Sequence, residues 1–407
     1  MGDKPPAPHG LWREASTARH IAVGAGKNRW RERETKGGQM RKYAKIEYVE
    51  EIMREGMQIE SAAIPVEDKL RLLDAVGETG LKQIEVGSFV SPKYTPQMAC
   101  MDELMHRFKP KQGVKYVALG LNPQGLERAR QYSPPLVMED GVPLLRYHMC
   151  DVFIRRNVNT TQEQQIARWP SVVAKAQEKG ATEAGMSLGG AWGSNWLGPF
   201  KLEDQMDILE QEHRLWDEAG IKVTHINFSD AMSWVTPTGI TETLTAVKER
   251  WPEITHFDLH LHNARGLVLT SIYAALQVLE PTDTVVMDGS LGGVGGCPYC
   301  GNGRATGMVP TEDLMHMLET MGIDTGVDID KLIDCVWLVE EIIGRRSFGH
   351  IATAGPLPMT TDKWYPMDLP FIETLEQAKH FKLGPKVYEG CMRPWREPIR
   401  SPRRPEV

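Results

Sequence analysis

The 407-residue sequence predicts an α/β protein, a (β/α)8 TIM barrel with N- and C-terminal extensions. Two observations carry this. Eight short runs rich in Val, Ile and aromatic residues alternate with longer amphipathic runs, and most lack the strict alternation of half-buried strands. That is the pattern of parallel strands buried on both faces. Glycine then follows several of the amphipathic runs (Gly80, Gly180, Gly220, Gly322), where a helix end favours a residue tolerant of positive φ. An open doubly wound sheet is the rival, but it needs fewer units and a topological switch.

Taken in order, the expected strands are 46–53, 83–90, 116–121, 145–150, 182–188, 223–228, 257–261 and 284–287. The expected helices between and after them are 66–79, 96–108, 161–179, 202–219, 240–250, 267–278 and 311–321. Residues 328–345 read as an extra helix, and the Pro-bearing stretch 122–142 as a loop-rich insertion. The domain boundaries that follow are a basic N-terminal extension over 1–45, a catalytic barrel over 46–350 and an irregular, Pro-rich C-terminal extension over 351–407.

Composition narrows the function classes. With 41% hydrophobic and 25% charged residues the bulk of the chain is not disordered. No apolar run is long enough to span a bilayer, so no membrane partner is expected. The first residues lack the apolar core of a secretory signal, which makes the cytoplasm the expected compartment. Six cysteines are too few for a disulfide framework and fit a reducing environment. The net charge of −7 hides basic ends, +7 over 1–45 and +3 over 392–407, around a middle of −17. We read the ends as solvated tails, and a pI near 6.0 argues against a nucleic-acid partner.

In such a barrel the chemistry sits at the C-terminal ends of the strands. His260 and His262 are two residues apart on strand seven, so alternation aims both imidazoles at one point. Glu55, after strand one, completes three ligands of a facial metal site. Mixed carboxylate and imidazole donors suit Mg²⁺ or Mn²⁺, with Zn²⁺ or Co²⁺ as further options. An H-x-H by itself is common by chance; its place after a buried strand is what singles it out. After strand eight, GSLGGVGGCPYCGNG holds five glycines between Gly289 and Gly296 and carries Cys297, as a loop folding over a ligand would. Cys-Pro-Tyr-Cys also matches a glutaredoxin-type redox motif, but no thioredoxin-like domain surrounds it, and a regulatory role for Cys300 stays open.

Together these motifs resemble the 3-hydroxy-3-methylglutaryl-CoA lyase family of metal-dependent TIM-barrel carbon–carbon lyases. The matching segments are REGMQIE at 54–60, SFVSPKYTPQM at 88–98, FIRRNVN at 153–159, His260/His262, GVGGCPY at 293–299 and TEDLMHML from 311. The likeness runs over about residues 46–350. It implies retro-Claisen cleavage of a 3-hydroxy-3-substituted glutaryl-CoA into acetyl-CoA and a 3-oxo acid, an acyl-CoA substrate, and a homo-oligomer, dimer or higher. It further implies Arg54 stabilising the enolate oxygen, Cys297 as general acid, and Glu85 and Asp230 in proton relay or substrate orientation. For those two carboxylates the competing reading is interior acids paired with Arg or Lys.

Several positions depart from the family. Glu55 replaces an Asp ligand, Asn263 an Asp, and Met308 an Asn that serves as a further ligand; Asn302, in a nearby insertion, is a candidate replacement. Arg265 stands where the lyases usually carry Tyr and is placed to bind a substrate carboxylate; Gln58 is a further substrate-binding candidate. These changes point to a substrate other than the ordinary methylglutaryl thioester. The rival readings are a related aldolase or Claisen condensing enzyme acting on a 2-oxo acid, which Asn263 favours, and a non-catalytic descendant that binds through its tails.

Overall fold

The computed structural model describes residues 42–364 apart from 121–122, 139–140 and 301–304. Most of both expected extensions therefore lies outside the described residues. Within Lys42–Pro356 the eight strands are β1 (Lys45–Glu50), β2 (Gln83–Ser88), β3 (Lys115–Leu119), β4 (Leu144–His148), β5 (Glu183–Gly189), β6 (Lys222–Asp230), β7 (His256–Leu261) and β8 (Thr284–Gly289). Their order, β3-β2-β1-β8-β7-β6-β5-β4, with every neighbouring pair parallel, is that of a barrel read from the seam between β3 and β4. At that seam Leu136 takes a parallel place beside Tyr116, and the Val137 amide donates to the Tyr116 carbonyl at 2.8 Å.

The helices packed around the strands are α1 (Val66–Val76), α2 (Met101–Arg107), α3 (Pro123–Arg130), α4 (Asp151–Val158), α5 (Gln162–Glu178), α6 (Leu202–Glu218), α7 (Pro237–Arg250), α8 (Val268–Val278), α9 (Thr311–Thr320) and α10 (Ile329–Ile343). Helix α3 corrects the expectation of a loop-rich insertion over 122–142: Pro123 occupies the first turn, where its missing N–H costs nothing, so it starts a helix rather than breaking one. Buried indoles pin two helices to the strands, Trp169 Nε1 donating to the Arg146 carbonyl and Trp216 Nε1 to the Gly185 carbonyl, each at 3.0 Å. No helix among the described residues is long and apolar enough to cross a membrane.

The strands also correct the expectation of two apolar faces. In β7 and β8 burial alternates residue by residue. Phe257, Leu259 and Leu261 belong to the apolar core, while His256, Asp258 and His260 occupy the other face. Register stacks these polar residues into levels with their neighbours: His225 beside His256, Asn227 beside Asp258, and Ser229 beside His260. The His225 and His256 rings stack with centroids 4.3 Å apart.

Candidate active site

The first strand ends three residues earlier than its apolar run suggests, because Glu50 turns the chain. Its buried carboxylate accepts the Ile52 amide at 2.9 Å, the Leu291 amide at 3.0 Å and the Thr311 hydroxyl at 2.5 Å. Burial pushes the carboxyl up to about 7 despite these bonds. Ile52–Gly56 then forms one π-helical turn, a geometry that recurs at functional sites. Arg54 and Glu55 thus project from a wide turn, not from a strand end.

That turn places Arg54 among three carboxylates. Its Nε donates to Glu85 at 2.8 Å, one Nη donates to Glu51 at 2.7 Å and the other to Glu55. Burial opposes the guanidinium charge, but Glu55, Glu85 and Glu51 outweigh it and hold Arg54 firmly protonated. Burial also works against ionised Glu55, yet Arg54 and the two imidazoles hold its carboxyl below the ordinary range. Glu51 moves the other way: burial, reinforced by repulsion from Asp288, pushes it well up. Glu85, from β2, is therefore paired with Arg54.

Glu55, His260 and His262 present donor atoms that all lie within 4.8 Å of one another. His260 Nδ1 donates to Asp288 Oδ2 at 2.7 Å, and its Nε2 lies 3.2 Å from the Nε2 of His262. Two imidazole nitrogens bound in cis positions at about 2.1 Å from one ion are separated by about 3 Å, so the pair matches one divalent centre. Glu55 Oε2 is buried without a hydrogen-bond partner, while its other oxygen is taken by Arg54. The donor set fits a divalent cation. A second trio, Glu51, His260 and Asp288, adjoins it through the shared His260. Burial lowers His262 to about 4; on His260 burial has the same sense, but Asp288 overcomes it and raises the ring.

The cysteine loop folds as a short hairpin over this centre. Gly296–Cys297 pairs antiparallel with Ala305–Thr306, the Met308 amide donates to Gly293, and the Asn263 amide donates to the Gly307 carbonyl at 2.7 Å. Gly295 has φ +122°, and a Cβ there would lie 3.0 Å from the Glu55 carbonyl oxygen, so the loop runs flush against the Glu55 backbone. Met308 is fully buried and bridges His262 through its backbone. The neighbouring Cys300 side chain lowers the Cys297 thiol against the effect of burial, and Glu55 and His260 are near enough to act on it.

Of the five remaining sequence candidates, four lie among the described residues. Asp230 ends β6 fully buried; its Oδ2 accepts the Val235 amide at 2.6 Å, Oδ1 has no partner, and burial lifts the carboxyl to about 6. Asn263 accepts the Val268 amide at 3.3 Å at the start of α8. Arg265 donates to the Met232 and Ser233 carbonyls and, at 2.9 Å, to Asn195. Gln58 is half-buried just past the π turn. Asn302 lies outside the described residues. Sequence reasoning missed Glu51 and Asp288. Asp288 carries the signal used for the others, a polar residue at a strand's C-terminal end, but the expected strand eight stops one residue short of it, at Met287.

The profile of the HMGL-like family matches residues 45–339. The chain belongs to the HMGL-like family. This HMGL-like chain is 30% identical over 310 residues to the mitochondrial hydroxymethylglutaryl-CoA lyase of Gallus gallus, covering 76% of this chain and 97% of that one. It is 31% identical over 313 residues to the 3-hydroxy-3-isohexenylglutaryl-CoA/hydroxymethylglutaryl-CoA lyase of Pseudomonas aeruginosa, again covering 76% and 97%. Among solved structures it matches an HMG-CoA lyase from Acinetobacter baumannii in complex with coenzyme A and 3-methylmalate. That match has a TM-score of 0.61 at 27% identity and covers 79% of this chain and 98% of that one. This HMGL-like chain is accordingly a carbon–carbon lyase on a TIM barrel.

Proposed function

We propose that this lyase cleaves a 3-hydroxy-3-substituted glutaryl-CoA-like thioester to acetyl-CoA and a 3-oxo acid, with a divalent metal, Mg²⁺ or Mn²⁺, held by Glu55, His260 and His262. The observation that carries the reading is the convergence of those three donors with Arg54 beneath the Cys297 hairpin. A metal in this position supplies Lewis acidity and a chelating anchor for substrate oxygens. Asp230, whose buried Oδ1 has no partner, takes the tertiary hydroxyl proton. The carbon–carbon bond then breaks, its electron pair leaving as the thioester enolate while the hydroxyl carbon becomes the ketone of the 3-oxo acid. Arg54 uses three of its five N–H donors on carboxylates, which leaves two for the enolate oxygen. Cys297 delivers the proton to the enolate carbon and completes acetyl-CoA. The substrate differs from the ordinary methylglutaryl thioester, a view supported by Glu55, Asn263, Arg265 and Met308 standing where the family has other residues.

The test is acetyl-CoA release from a panel of branched 3-hydroxyglutaryl-CoA thioesters with Mn²⁺ or Mg²⁺ supplied. Release is expected from at least one thioester, abolished by chelation, by His260→Ala and by Cys297→Ala. A panel that yields no acetyl-CoA sinks the proposal. Condensation of acetyl-CoA with a 2-oxo acid under the same conditions would identify a Claisen synthase instead.

A further inference from the structure

Asn195 lies outside the segments that carry the family resemblance, in the small β-hairpin that follows β5, where Gly193–Ser194 pairs with Gly198–Pro199. Its side chain uses both ends of its amide. Nδ2 donates to the backbone carbonyl of Cys300 at 2.6 Å. Oδ1 accepts Trp234 Nε1 at 3.0 Å and Arg265 Nη2 at 2.9 Å. Arg265 also lies 5.6 Å over the Trp234 ring and reaches the carbonyls of Met232 and Ser233. One amide thus joins the loops that follow β5, β6 and β7 to the hairpin that follows β8. Cys300 is fastened a second time by its thiol, which donates to the Ala231 carbonyl at 3.0 Å, and it is buried in a small apolar cluster with Cys150, Phe153, Ile154 and Met232. Cys297 packs against the same cluster three residues earlier in the chain.

We infer that Asn195 is a positioning residue that latches the cysteine hairpin through the Cys300 carbonyl and so fixes where the Cys297 thiol stands over the reaction centre. The inference rests on the proposed role of Cys297. A primary amide suits the task because it donates toward the hairpin and accepts from the fixed loops at the same time. The carbonyl of Cys300 is backbone, so the latch does not depend on the Cys300 thiol state. The loops that Asn195 draws on are themselves tied down, Trp234 by the cation–π contact with Arg265 and Arg265 by two carbonyls, which gives the hairpin a rigid anchor instead of solvent.

Asn195→Asp separates the latch from the packing. The aspartate keeps an oxygen for Trp234 and Arg265, but it replaces the donor to Cys300 with a second oxygen that repels that carbonyl. In the acetyl-CoA release assay, kcat is expected to fall about tenfold while KM stays within about twofold, the signature of a misplaced reacting group and not of lost binding. In the substrate-free enzyme, iodoacetamide labelling of Cys297, followed by peptide mass spectrometry, is expected to speed up by about the same factor. Trp234→Phe, which removes one donor to Asn195 and leaves the Cys300 bond, is the comparison and is expected to stay near wild type in both readouts. Unchanged Cys297 labelling in Asn195→Asp, or an equal loss in Trp234→Phe, overturns the latch. Should the aspartate variant not fold, Asn195→Gln, whose amide is displaced by one methylene, takes its place: the same changes in kcat and labelling are expected, and unchanged labelling again overturns the latch. If Cys297→Ala keeps full acetyl-CoA release, the catalytic reading of Cys297 fails, whereas the labelling comparison still decides the latch.

Discussion

His260 donates its Nδ1 proton to Asp288 at 2.7 Å, and that bond leaves its Nε2 facing the Nε2 of His262, 3.2 Å away. Asp288, at the end of β8, therefore sets both the tautomer and the ring plane of a residue on β7. Orienting carboxylates of this kind are worth about 10- to 100-fold in metal affinity. Asp288→Asn is accordingly expected to weaken Mn²⁺ binding by about that factor, with circular dichroism unchanged. Calorimetric titration of the metal-stripped protein measures it, and wild-type affinity in the variant would refute the assignment.

The Arg54 fork meets Glu51, Glu55 and Glu85 through three separate nitrogens. Lysine keeps the charge but offers one point in place of a planar fork. Arg54→Lys should lose about a hundredfold or more in kcat, through lost enolate stabilisation and through three carboxylates left poorly paired. Steady-state kinetics check this, with thermal melting to confirm folding.

Gly295 passes against the Glu55 backbone at φ +122°. Alanine there imposes backbone strain on the order of 1–3 kcal/mol and pushes the hairpin off Glu55. Because the hairpin strands stand outside the eight-stranded sheet, Gly295→Ala should cut activity far more than it lowers the melting temperature. Comparable losses in both would show that the loop is structural instead.

Glu50 gives the protein a pH dependence of defined sign. Burial raises its folded-state pKa from 4.5 to about 7, so folding takes up a proton between those values. The stability tied to protonated Glu50 is fully present below about pH 4.5 and is lost as pH climbs through about 7, for a total on the order of 3 kcal/mol. Glu50→Gln keeps an acceptor for the Ile52 and Leu291 amides and a donor for the Thr311 oxygen. It should therefore flatten the decline between pH 5 and 7 in urea melts, and a slope identical to wild type would rule the account out.

Much of this was legible in the sequence. The alternation of runs gave the eight strands within a few residues, and H-x-H on strand seven led directly to the paired imidazoles, because strand periodicity is a local property. Three things were not local. The π turn over Ile52–Gly56 hides in an apolar run that reads as strand, since the carboxylate that ends β1 acts through Leu291 and Thr311, more than two hundred residues away. The helix at Pro123–Arg130 was lost to a proline read as a breaker. The bonds of Asn195 join four loops and leave no trace in spacing at all.

The polar levels stacked beneath His260 continue down the inside of the barrel. Asp258 lies one level down, where burial and the repulsion of Asp288 lift its carboxyl to about 6, and the His225–His256 pair lies below that. Asp288 joins this column to the centre, since its charge acts on Asp258 below while its carboxylate holds His260 above. An exchange at Asp258 would therefore be felt first at Asp288 and through it at His260, with Glu55, His262 and Cys297 left in place.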